Sequence, residues 1–77
     1  MNLTLKHHNL DATESRVIRP LRLSERPLEM HEVARIARLT EHKVRRTMAR
    51  LMGEALVDQV AGGFIPTDAG RAASLDH

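Results

Sequence analysis

Apolar positions recur at helical spacing over the first two thirds of the chain, then switch to a strand-like run. Asp11, followed three residues later by Glu14, has the form of a capping box at a helix start. Val17, Ile18 and Leu21 then fall on one side of that helix, and Arg16, Arg19 and Arg22 on another. Pro20 stands inside this pattern and is expected to kink the helix or end it early. Ser24-Glu25-Arg26-Pro27 reads as a turn, with Leu28 as a core anchor or brief strand. Met30, Val33, Ile36 and Ala37 form the next stripe, so a second helix is expected from about Glu29 to Arg38. The third helix is the strongest element: Thr40 is a good N-cap, and Val44, Met48, Leu51, Met52 and Ala55 cluster on one side. Leu56 to Val60 reads as a strand, Ala61-Gly62-Gly63 as a hairpin turn and Phe64-Ile65 as the return strand, stopped by Pro66. Thr67 caps a closing helix from Asp68 to about Leu75.

The predicted class is therefore mainly α with a small β-hairpin. Residues 1–10 read as a loose arm and residues 11–77 as one domain, because 77 residues cannot support two cores. There is no cysteine, hence no disulfide or thiolate chemistry. No apolar run approaches the length of a membrane span, and the first ten residues lack the apolar core of a secretion signal. A cytoplasmic protein with no membrane partner is expected. Five dispersed histidines, none spaced i, i+4, predict no metal site. There is no nucleophile motif and no phosphate loop, because Gly62-Gly63 opens a strand rather than a helix. No enzyme and no cofactor are expected.

Charge changes this picture. The formal net charge is only +2, but it is unevenly placed. Residues 1–29 hold five basic and four acidic groups, residues 30–50 six and two, and residues 51–77 one and four. Ten of the twelve cations are arginine, the side chain suited to bidentate phosphate and guanine contacts. On the third helix His42, Lys43, Arg46 and Arg50 project opposite the apolar stripe, with Arg45 at the flank. This face is the candidate contact with double-stranded DNA. Thr40 and the helix amides are suited to a phosphate, and Arg35 and Arg38 to the nucleic-acid backbone.

The run PLEMHEVARIARLTEHKVRRTMARLMGEALVDQVAGGFIPTDAGR resembles the winged helix-turn-helix domain of MarR-like and related bacterial or phage regulators. The matching pieces are Pro27-Leu28, Leu39-Thr40, Val44/Met48/Leu51, Leu56-Val57 and Thr67-Asp68-Ala69-Gly70-Arg71, spread over roughly residues 14–73. The resemblance implies a three-helix core, a two- or three-stranded wing sheet and a short C-terminal helix. It also implies sequence-specific DNA binding by a small transcriptional regulator, with residues 40–52 as recognition helix in the major groove.

The chain departs from that pattern at several positions. Glu29 stands where Ser or Thr usually caps the second helix, Arg38 where the turn often has Gly, and Ala55 where Gly precedes the Leu-Val strand. The wing tip Ala61-Gly62-Gly63 is short and carries no cation, so DNA contact is expected to depend on the third helix. The long dimerisation helices of MarR-like proteins are missing, which leaves the Leu3/Leu5/Leu10 arm or the segment around Leu75 for a homodimer. The alternative reading is a winged-helix protein–protein interaction module, such as a small phage-encoded inhibitor of a host system or a subunit of a larger assembly.

Overall fold

The structure is a computed structural model that describes residues 9–75. The chain runs α1 (Ala12–Leu23), α2 (Met30–Ala37), α3 (Glu41–Gly53), β1 (Val57–Val60), β2 (Gly63–Pro66) and α4 (Asp68–Ala72). It is mainly helical, with one antiparallel hairpin registered Val57 opposite Pro66 and Val60 opposite Gly63. The first three helices pack on one another, and the hairpin lies against α1 and α3. Leu28 pairs with Phe64 through both backbone bonds, adding one residue of a third strand. Ile18, Leu21, Met48, Leu51 and Leu56 are the largest side chains sealed in the core.

The helix starts follow the predicted caps. Asp11 Oδ1 accepts from the Glu14 amide at 2.8 Å, and Glu14 Oε1 accepts from the Asp11 amide at 3.1 Å, which completes the box. Thr40 Oγ1 accepts from the Lys43 amide and Thr67 Oγ1 from the Gly70 amide. Glu29 occupies the cap of α2, and its own amide donates to Glu32 Oε1 at 2.9 Å.

Both α2 and α3 end in the same turn. The Leu39 amide reaches Ala34 O and the Arg38 amide reaches Arg35 O; at α3, Leu56 reaches Leu51 O and Ala55 reaches Met52 O. This is the Schellman pattern, which puts one residue in the left-handed region. Here those residues are Arg38 and Ala55, both at φ 60°. A side chain at such a position costs roughly 1–2 kcal/mol, partly offset by the lower chain entropy relative to Gly. Ala55→Gly is expected to stabilise by about 1 kcal/mol, raising the melting temperature by about 5 °C in calorimetry. An unchanged or lower midpoint refutes the strain.

Several expectations are corrected. α1 does not stop at Pro20: it continues to Leu23, because Val17, Ile18, Pro20 and Leu21 are all buried and their packing offsets the lost hydrogen bond. Ile36 leaves the α2 stripe and Ala34 joins it, because at about 100° per residue position 34 lies nearer than position 36 to the direction of Met30, Val33 and Ala37. On α3, Thr47 is buried and donates to Lys43 O, whereas Met52 is partly exposed and Ala55 lies exposed beyond the helix. Gly63 and Pro66 belong to β2, so the hairpin turn is Ala61-Gly62. Pro66 closes the pairing from the last position, where its missing donor does least harm.

The closing helix ends at Ala72 rather than near Leu75. Ser74 instead bridges Asn9, its carbonyl accepting from the Leu10 amide at 3.0 Å. Leu10 is thereby drawn into the core at 4% exposure, and Leu75 packs against it. Leu10 is thus buried within the chain, whereas Leu75 is only half-buried against the core. Leu3 and Leu5 lie outside the described residues.

The turn before α2 is held by an ion pair. Arg26 Nη1 and Nη2 donate to Glu32 Oε1 and Oε2 at 3.2 and 2.7 Å. That bond first, then the Glu29 amide, lowers the Glu32 carboxyl from 4.5 to about 2. A depressed carboxylate contributes stability above its unfolded value that is lost as pH falls through its folded value, here between about 4.5 and about 2. Glu32→Gln should therefore show a shallower loss of thermal stability over that window. Parallel curves for parent and variant refute the assignment.

Candidate nucleic-acid interface

Helix α3 owes its two-sided character to local spacing. Val44, Thr47, Met48 and Leu51 turn inward, and at about 100° per residue the arc opposite them holds His42, Arg46 and Ala49. Lys43 and Arg50 fall on the flank toward the start of α1, and Arg45 on the other flank. All five cationic or imidazole side chains are exposed. The single carboxylate of α3, Glu41, stands one turn before Arg45, away from Lys43 and Arg50.

The flank toward α1 borders a cleft of about 400 Å³. Its walls are Thr40, His42, Lys43, Arg46, Thr47 and Arg50 from α3 and its cap, facing Asp11 and Thr13. Five of the eight predicted contact residues thus converge: Thr40, His42, Lys43, Arg46 and Arg50. The other three do not. Arg45 is exposed on the far flank; Arg38, at the end of α2, lines a different groove with Arg16 and Arg19; Arg35 is exposed and borders neither.

Arg50 does not stand free. Its Nη2 lies 3.6 Å from Asp11 Oδ2 and its Nε 3.5 Å from Glu14 Oε2, with the Glu14 side chain almost buried. The capping box of α1 therefore also places two carboxylates against the C-terminal half of α3. These residues were legible only as a cap, because nothing local links position 11 to position 50. Lys43 and Arg46 face the cleft without a salt bridge to any carboxylate among the described residues, and they become the leading cationic pair.

The chemistry on offer is anion recognition. A lysine, one unshared guanidinium, a threonine hydroxyl and the positive end of α3 surround a space open to solvent. Among the described residues no three His, Asp or Glu side chains converge as metal ligands. No helix among them is long and apolar enough to cross a membrane. The hairpin adds Asp58 and no cation. Compared with family models, with curated proteins and with solved structures, the chain matches none of them.

Proposed function

We propose that this protein is a small winged-helix DNA-binding protein that acts as a sequence-specific transcriptional regulator, with α3 as its recognition helix. The observation that carries the reading is the basic side of α3, where Lys43 and Arg46 stand exposed beside Thr40 and His42, neither cation in a salt bridge among the described residues. A helix with its side chains is about 10–12 Å across, which fits a major groove about 12 Å wide. α2 and α3 are joined by Arg38, Leu39 and Thr40 alone, the short connection of a helix-turn-helix.

In this mechanism the capped start of α3 faces a phosphate, with Thr40 and Lys43 beside it. Arg46, one turn further on, reaches base edges with His42 beside it, and Arg45 borders the groove on the flank away from Lys43. Arg50 serves at the backbone when its carboxylate partners release it. The hairpin acts as a wing that shapes the surface without adding charge. On this reading the chain binds and does not catalyse.

Salt dependence provides the test. Four phosphate contacts correspond to a slope of log affinity against log salt near −4. Fluorescence anisotropy with a random duplex of roughly two helical turns measures it. A chain that binds no duplex even at low salt overturns the reading.

A further inference from the structure

The groove between α1 and the end of α2 carries an inference independent of DNA binding, since no α3 residue lines it. Its exposed apolar groups are Leu23 and Ile36, at 78% and 55%, the two most exposed large hydrophobic side chains among the described residues. Between them the buried Pro20 and Ala37 form the floor of a depression of about 330 Å³. Arg16, Arg19 and Arg38 rim it, and no carboxylate does. The rim is partly fixed in advance: Arg16 Nη2 donates to Ala37 O at 2.6 Å, and Arg38 is locked in the left-handed turn. Most of Arg16's five N–H donors remain available for a partner.

We propose that this groove docks an acidic amphipathic helix of a partner protein. Charge complementarity selects the occupant. A second copy seated symmetrically would oppose three arginines to three arginines. Residues 1–8 of the chain itself carry Lys6 and two histidines but no Asp or Glu. A nucleic acid would satisfy the arginines and leave Leu23 and Ile36 in water, with no aromatic group for a base to stack on. A helix with apolar anchors one turn apart and carboxylates beside them satisfies both components. Arg16 and Leu23 lie about 10 Å apart along α1, which matches two turns of such a helix.

The test uses a fluorescein-labelled peptide of about four helical turns, with Leu at i, i+3, i+4 and i+7 and Glu elsewhere. Two controls replace every Glu by Lys, or every Leu by Ser. The expected result is saturable one-to-one binding in anisotropy, weakened at least about tenfold (1.4 kcal/mol) in either control. Leu23→Ser with Ile36→Ser, and separately Arg19→Glu, should weaken it as much. All three positions are exposed, so unchanged melting and unchanged duplex binding accompany that loss. Lys43→Ala with Arg46→Ala should leave peptide binding intact. Absence of saturable binding overturns the proposal. So does binding that the groove variants retain and the α3 variant loses, or Leu23-dependent self-association in sedimentation. A chain that binds peptide but no duplex refutes the DNA reading alone.

Discussion

Gly70→Ala is expected to destabilise the protein by about 3 kcal/mol, lowering its melting temperature by more than about 10 °C. The sign is contrary to helix propensity, since Gly to Ala inside a helix ordinarily gains up to about 1 kcal/mol. At this position a Cβ would sit 1.9 Å from Leu56 O and 3.3 Å from Ile18 Cδ1. The carbonyl cannot yield cheaply. It accepts from the Thr67 amide at 3.0 Å, while Thr67 Oγ1 donates to Ala55 O at 2.7 Å. Moving Leu56 therefore disturbs the cap of α4, the left-handed turn at Ala55 and a fully buried core side chain together. Gly53→Ala is the matched control, because nothing lies within 4 Å of its added methyl. It should be neutral or slightly stabilising. Chemical denaturation of the two variants side by side decides the matter: equal midpoints would remove the close approach as an explanation for Gly70.

Lys43→Ala combined with Arg46→Ala is expected to reduce duplex affinity about a hundredfold near 0.1 M salt and to flatten the salt slope by about one, for the phosphate that Lys43 meets. Both side chains are exposed, so thermal stability should hold. The converse change isolates the role of Arg50. Asp11→Asn with Glu14→Gln keeps oxygen acceptors for the α1 cap but removes both charges beside that guanidinium. It should raise duplex affinity severalfold and steepen the slope toward one more contact. If neither pair alters duplex binding, the basic face of α3 is a solvated surface, and the DNA reading falls with it.

Local rules account for most of the element boundaries. Asp11, Thr40 and Thr67 act as the caps their side chains suit, and the period change after Ala55 marks the move from helix to hairpin. Size favours Ile36 for the α2 stripe, but Ala34 lies nearer the direction of Met30, Val33 and Ala37 around the helix and is the one buried. Local rules fail where a neighbouring element alters the outcome. Pro20 breaks a helix by its own chemistry, yet its burial carries α1 onward. Residues 73–75 have helix-compatible composition and still leave the helix, because Ser74 meets Asn9 and Arg22 Nη1 donates to Ala73 O.

The arginines mark the same division. By itself the sequence determined that a basic stretch coincides with an amphipathic helix and that His42 and Arg46 lie opposite its apolar stripe; Lys43 and Arg50, expected there as well, fall on the flank toward α1. Periodicity suffices for that, because it fixes directions around one helix axis. Only the tertiary structure decided which cations have partners. Arg16 bonds a carbonyl 21 residues away, Arg22 one 51 residues away, and Arg50 lies against carboxylates at the start of α1. Such pairings depend on how helices are placed against one another, which no spacing along a single helix encodes. The uneven charge legible in the chain thus becomes two separate surfaces, a cleft between α3 and the start of α1 lined by Lys43, Arg46, Arg50 and Asp11, and an arginine-rimmed apolar groove on α1 and α2.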